Sequence, residues 1–120
     1  MTDKLRFGQF ISEKRTRLSM TKRELAGQIG ISTAYLSQIE GGIRSNPKRV
    51  IIENLIASLN LNKEDTYRLY DLYAKVTDSV AIDIAQLIKQ NDIVSKAIRT
   101  AIKTGASEAA WLEFIDRLNK

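Results

Sequence analysis

The segment Thr21-Lys22-Arg23-Glu24-Leu25-Ala26-Gly27-Gln28-Ile29-Gly30-Ile31-Ser32-Thr33-Ala34-Tyr35-Leu36-Ser37-Gln38-Ile39-Glu40-Gly41-Gly42 reads as two short helices joined by a very tight turn. Thr21 and Glu24 form a capping box: the threonine hydroxyl can accept the Glu24 N–H while the Glu24 carboxylate reaches back to the Thr21 N–H. The helix opened there turns Leu25, Ala26 and Ile29 inward, with the small Ala26 where the two helices cross. Gly30 suits the left-handed position that ends a helix, and Ser32 is a good N-cap for the next one. That next helix, residues 33–40, points Leu36 and Ile39 inward with Tyr35 at their edge, and the pair Gly41-Gly42 stops it.

The same periodicity extends outward from this core. Before it, Phe7, Phe10, Ile11 and Leu18 recur at helical spacing through a basic segment. After it comes the basic loop Ile43-Arg44-Ser45-Asn46, then Pro47 at the favoured first position of a helix that Asn46 can cap. That helix is expected to bury Val50, Ile51, Leu55 and Leu59. Asn62 caps a fifth, residues 63–76, with Leu69, Leu72 and Val76 on one face and Tyr67, Tyr70 and Tyr73 alongside. Three amphipathic segments follow at 78–90, 92–104 and 107–119. Their apolar positions are Val80, Ile84, Leu87 and Ile88, then Val94, Ala97, Ile98, Ala101 and Ile102, then Trp111, Leu112, Ile115 and Leu118. These stripes need a cover: the first five helices, one another, or a second copy of the chain, and periodicity does not choose among them. The expected organisation is therefore residues 1–76 and a C-terminal oligomerisation or interaction segment, 77–120, with no internal repeat and no low-complexity stretch.

Composition agrees with an all-α chain and removes whole classes of chemistry. The 120 residues are 43% hydrophobic and 28% charged, with one Pro and six Gly, enough to bury a core and too poor in turn residues for a β-sandwich. Cys and His are absent, which excludes disulfides, thiolate zinc sites, cysteine nucleophiles and histidine-based triads. No Asp/Glu cluster has metal-ligand spacing. Asp65/Asp71 and Glu113/Asp116 read as solvated helix charges, so no enzyme activity, cofactor or metal is expected. No apolar run is long enough to span a membrane and the N-terminus lacks signal-peptide features, making a cytoplasmic, nucleoid-associated location the expectation. The net charge of +5 lies wholly in residues 1–60, which hold ten Lys/Arg and five Asp/Glu, whereas residues 61–120 hold nine of each. Such asymmetry fits an N-terminal half that faces a polyanion or is simply a basic solvated surface.

A capped helix, a glycine turn and a second short helix, apolar only where the two touch, is the layout of a helix-turn-helix. Its second helix can enter a DNA major groove about 12 Å wide. Residues 21–42, and most specifically Tyr35-Leu-Ser-Gln-Ile-Glu40 followed by Gly and then Asn46-Pro47, resemble the helix-turn-helix of lambda-repressor-like, Xre-type bacterial and phage regulators. The resemblance covers roughly residues 5–74 and implies a five-helix DNA-binding domain, to which about three short C-terminal helices are appended. It assigns Thr33, Ala34, Ser37 and Gln38 to base reading. Gln38 can pair with adenine N6 and N7, Thr33 and Ser37 with several base edges, and the Ala34 methyl can meet a thymine methyl. It assigns Lys22, Gln28, Tyr35, Arg44, Ser45, Asn46, Lys48 and Arg49 to the phosphate backbone, where they position rather than specify.

Two features depart from the family: Gly27 in the middle of a helix, costing about 1 kcal/mol against Ala, and a Gly pair after Glu40. Both weaken transfer of any particular operator sequence. Leu36 reads as core, Tyr35 as core or phosphate contact, and Glu40 as structural. Lys14, Arg15 and Arg17 read as solvated charges or DNA contacts, and Trp111 as a core or interface anchor. The resulting expectation is a sequence-specific double-stranded DNA-binding transcriptional regulator, a repressor acting as a homodimer on an inverted repeat. Ile84, Leu87, Ile88, Val94, Ile98, Ile102, Trp111, Leu112, Ile115 and Leu118 would supply the oligomer surface or the docking site of an antagonist protein. The alternative is an antitoxin-like or phage-encoded inhibitor whose C-terminal helices bind a partner protein and whose DNA binding is autoregulatory.

Overall fold

The computed structural model describes residues 1–44 and 46–120, and among these it is all helical. The helices are α1 (Asp3–Arg17), α2 (Lys22–Ile29), α3 (Thr33–Glu40), α4 (Arg49–Ser58), α5 (Lys63–Thr77), α6 (Ile82–Gln90), α7 (Asp92–Thr104) and α8 (Glu108–Leu118). They fall into two compact units, Met1–Asp83 and Ile84–Lys120.

Local chemistry sets the ends of these elements as the sequence leads one to expect. The Thr21 hydroxyl accepts the Glu24 N–H at 3.0 Å and the Glu24 carboxylate accepts the Thr21 N–H at 3.3 Å, so both halves of the capping box are present. Gly30 closes α2 with φ 82°, a left-handed conformation costly for any residue with a Cβ. Ser32 then caps α3 by accepting the Tyr35 N–H, and Asn62 caps α5 through the Asp65 N–H. The four-residue spacing of buried apolar groups does the rest. Phe7, Phe10 and Ile11 of α1, Leu25, Ala26 and Ile29 of α2, and Leu36 and Ile39 of α3 join Ile52, Leu55, Leu59, Leu69 and Leu72 in one core. Each large side chain so buried contributes about 1.5–3 kcal/mol. α1 packs on α3 and α5, while α2 packs on α3 and α4. The five-helix arrangement implied by the resemblance is present.

Four expectations about this unit need correction. Leu18 is exposed because α1 stops at Arg17 and Leu18 is its C-cap. Pro47 does not open α4: it lies buried ahead of the helix, its carbonyl accepts the Tyr73 hydroxyl, and Lys48, not Asn46, is the N-cap. The inward row of α4 is accordingly built on Ile52 and Leu55, with Ile51 half-buried and Val50 out in solvent. Finally, α6 starts at Ile82 rather than at residue 78. Asp78 takes a left-handed φ of 51° and closes α5, and Ala81 is buried while Ile82 packs against the core. The first compact unit runs to Asp83, and Val80 is left exposed.

Gly27 lies exposed in α2, and a Cβ added there would meet nothing within 4 Å. Gly27→Ala should therefore raise stability by about 1 kcal/mol through helix propensity alone. A urea titration of the two proteins measures this as a higher midpoint at unchanged slope.

Residues 84–120 form α7, α8 and most of α6, and none of them is buried. Ile88, Val94 and Ile98 are half-buried, whereas Ile84, Leu87, Ile102, Trp111, Leu112, Ile115 and Leu118 are exposed. Trp111 meets the edge of Phe114 at a centroid distance of 6.4 Å. Among the described residues, no helix is long and apolar enough to cross a membrane.

Candidate nucleic-acid interface

α3 is eight residues long, about 12 Å at 1.5 Å per residue, and its two sides differ sharply. Leu36 and Ile39 are fully inside; Thr33 and Ala34 are exposed and Ser37 and Gln38 half-exposed on the other side. The outer row thus offers two hydroxyls, one methyl and one carboxamide. These are short polar and apolar groups able to read base edges without carrying charge into the groove.

A basic loop is folded back onto the end of this helix. The Gln38 carbonyl accepts the Ile43 N–H at 2.9 Å and the Arg44 N–H at 3.2 Å, so the residue assigned to base reading also anchors the loop through its backbone. The Arg44 guanidinium lies 5.8 Å from the centre of the Tyr35 ring, within cation–π range. At the far end of the loop the Tyr73 hydroxyl donates to the Pro47 carbonyl. Burial first, and neighbouring Tyr35 second, raise the Tyr73 pKa above that of a free phenol, which keeps the donor proton in place. Arg44, Asn46 and Lys48 are all exposed. Among the described residues neither Arg44 nor Lys48 has a carboxylate within ion-pair distance.

The other expected backbone contacts are placed less uniformly. Lys22 and Gln28 are exposed on α2, whose last turn is tied to α4 by the Asn54 amide donating to the Ile29 carbonyl at 3.2 Å. Arg49 is engaged with Glu53 at 3.4 Å, both side chains about half exposed. Such a surface pair is worth little, so a phosphate can draw Arg49 away at small cost. Ser45 lies outside the described residues.

α1 contributes differently from what its basic character suggests. Arg15 is buried and makes a two-pronged ion pair with buried Glu40, Nε to Oε2 at 2.8 Å and Nη2 to Oε1 at 2.9 Å, while Nη1 donates to the Met20 carbonyl. Its hydrogen bonds to Glu40 raise the Arg15 pKa against the opposing cost of burial, so the guanidinium stays charged. Lys14 is bound to Asp65 at 2.7 Å, which removes both groups from the class of freely solvated charges. Arg17 alone of the three is exposed. The signal for the buried pair was present in the spacing: Arg15 follows Ile11 by one helical repeat and Glu40 follows Leu36 likewise, which puts both on inward faces.

Known proteins with related sequences carry the same motif. A family model described as a helix-turn-helix domain matches residues 8–75. RghRB of Bacillus subtilis (strain 168), an uncharacterized HTH-type transcriptional regulator, is 41% identical over 59 residues, covering 49% of this chain and 42% of that protein. SinR of the same organism, an HTH-type transcriptional regulator, is 27% identical over 109 residues, 91% of this chain and 88% of that one. The chain thus spans less than half of RghRB but most of SinR. A solved structure of the restriction-modification controller protein C.AhdI from Aeromonas hydrophila is similar at a TM-score of 0.49 and 29% identity, over 54% of this chain and 97% of that one.

Proposed function

Because the chain belongs to the helix-turn-helix family of lambda-repressor-like, Xre-type regulators, we propose that it binds double-stranded DNA sequence-specifically and regulates transcription as a homodimeric repressor at an inverted repeat. The observation that carries this reading is the two-sided α3. Its inner side is locked into the core, its outer side is made of Thr33, Ala34, Ser37 and Gln38, and the cationic loop bearing Arg44 is hung on its last turn. In this reading α3 lies in the major groove. Lys22, Gln28, Tyr35, Arg44, Ser45, Asn46, Lys48 and Arg49 hold the flanking phosphates and set its register. Repression follows from occupying a promoter and asks for no catalysis, which suits a cytoplasmic, nucleoid-associated protein.

One such helix reads only a few base pairs, so a second copy is needed to lengthen the site. The two recognition helices would then sit about 34 Å apart on one face of the duplex. The exposed apolar row of residues 84–120, from Ile84 and Leu87 to Leu112, Ile115 and Leu118, supports assigning that segment to self-association. The same row supports the second reading, in which it receives an antagonist or a foreign partner protein and DNA binding serves autoregulation.

Two substitutions test the division of labour on α3 and the loop. Gln38→Ala should relax preference at one base-pair position and cost roughly 1–3 kcal/mol on the correct operator. Lys48→Ala should weaken binding to all sequences about equally and lower the slope of log K against log salt by about one unit. Competition binding on a library of operator variants at two salt concentrations reads both effects. Identical behaviour of the two variants would refute the assignment.

A further inference from the structure

The first turn of α1 lies directly against the loop that follows α3. A Cβ added at Gly42 would sit 3.0 Å from the Leu5 Cα and 3.1 Å from the Leu5 nitrogen, and Gly42 has φ 75°. Only glycine permits this approach, and its consequence is that Lys4, distant in sequence, shares a groove with Arg44. The groove, about 410 Å³, is lined by Lys4, Tyr35, Ile43, Arg44, Asn46 and Val76. Two cations, a phenol and a carboxamide therefore border one space, and among the described residues no carboxylate is in its walls. Asp3, next in sequence to Lys4, is turned to Arg6 at 3.7 Å.

Donors of this kind, gathered without an acid, suit a tetrahedral oxyanion. The Arg44 fork can bind two oxygens, Lys4 adds a point charge, and the Tyr35 hydroxyl and Asn46 amide can donate to the remaining positions. Ile43 and Val76 offer apolar surface against which a sugar ring can rest. Tyr35 belongs to α3, whose outer row begins at Thr33, so an anion in this groove lies beside the edge of the base-reading helix. We infer that the groove seats one backbone phosphate of the duplex and that Lys4 is a DNA-binding residue paired with Arg44. This rests on the DNA-binding reading above and adds a contact from α1 that the motif itself does not contain.

The test uses the full chain, its selected duplex and the variants Lys4→Gln and Arg44→Gln. Both side chains are exposed, so both variants should melt like the parent. Lys4→Gln should weaken binding about tenfold, as expected for loss of a hydrogen bond to a charged group, on specific and random duplexes alike. The salt slope should fall by about one unit. In phosphate-ethylation interference, Lys4→Gln and Arg44→Gln should each abolish sensitivity at the same single phosphate in each half-site. Parental affinity and salt slope for Lys4→Gln, or loss of sensitivity at two different phosphates, would overturn the inference while leaving the DNA-binding reading intact. Failure of the parent to bind any duplex would overturn both. Inorganic phosphate bound by the parent without DNA and not by Lys4→Gln, together with parental DNA affinity of Lys4→Gln, would reassign the groove to a free phosphate ion and contradict a backbone seat.

Discussion

Gly8→Ala is expected to destabilise the 1–83 unit by about 3 kcal/mol or more, lowering its melting temperature by roughly 12–24 °C. The reason is the crossing of α1 over the end of α3. A Cβ at Gly8 would lie 2.2 Å from the Ile39 carbonyl oxygen, 2.6 Å from that of Glu40 and 2.8 Å from the Glu40 carbonyl carbon. All three atoms are backbone, so no rotamer change relieves the overlap, and the two helices must separate. Separation unpacks Phe7 and Ile11 from Leu36 and Ile39, which are essentially free of solvent, and tilts the helix on whose Gln38 carbonyl the basic loop is hung. Thermal melting followed by far-ultraviolet circular dichroism measures the effect. The expected sign is opposite to that of Gly27→Ala, although the chemical change is the same, because only Gly8 has another helix where its Cβ would be. A parental melting point for Gly8→Ala would mean that α1 and α3 do not cross as described.

Glu40→Ala is expected to cost about 3–5 kcal/mol, because it leaves the Arg15 guanidinium buried with no counter-charge. In the intact protein the Arg15 and Glu40 side chains are only 11% and 5% exposed, and the carboxylate takes both of the hydrogen bonds that Nε and Nη2 donate. Nothing else described near Arg15 can replace it, since the one further contact is from Nη1 to the Met20 carbonyl. Denaturant titration should show the loss. It should also show that Arg15→Met combined with Glu40→Leu is less destabilised than Glu40→Ala alone, since the double change removes both charges together. If Glu40→Ala unfolds like the parent, the pair is solvated and α1 is held to α3 by apolar contacts alone.

Much of the fold could be read from the sequence because its signals are local. The Thr21/Glu24 capping box, the left-handed Gly30, the Ser32 and Asn62 caps and the inward rows Leu25-Ala26-Ile29 and Leu36-Ile39 each depend on residues within one helical turn. Expectations failed where a distant partner decides. Pro47 has the local preference for a helix start, yet the Tyr73 hydroxyl and burial hold it ahead of the helix. Starting α4 at Arg49 instead turns Val50 outward and Ile52 inward. Asp78 has the local preference for an N-cap but ends the preceding helix, because Ala81 and Ile82 still belong to the first core.

The candidate site divides in the same way. The outer row of α3 follows from helical periodicity once Leu36 and Ile39 are placed inside. By contrast, no short-range rule pairs Lys14 with Asp65, Arg15 with Glu40, or Lys4 with the loop of Arg44. These contacts form only when α1 is laid across α3 and α5. They also separate three of the basic residues of α1: Arg15 serves the core, Lys14 ties α1 to α5, and Lys4 borders the groove of Arg44.

The measurement that bears most directly on α3 as a base-reading helix is selection of genomic DNA fragments by the purified chain, with the bound fragments sequenced at low and high salt. Recovery of one palindromic site that persists at the higher salt, and whose enrichment at one position in each half-site is lost with Gln38→Ala, is the predicted result. Binding that disappears with salt and favours no sequence would contradict it, leaving the outer face of α3 without a reading function and only the N-terminal charge accounted for.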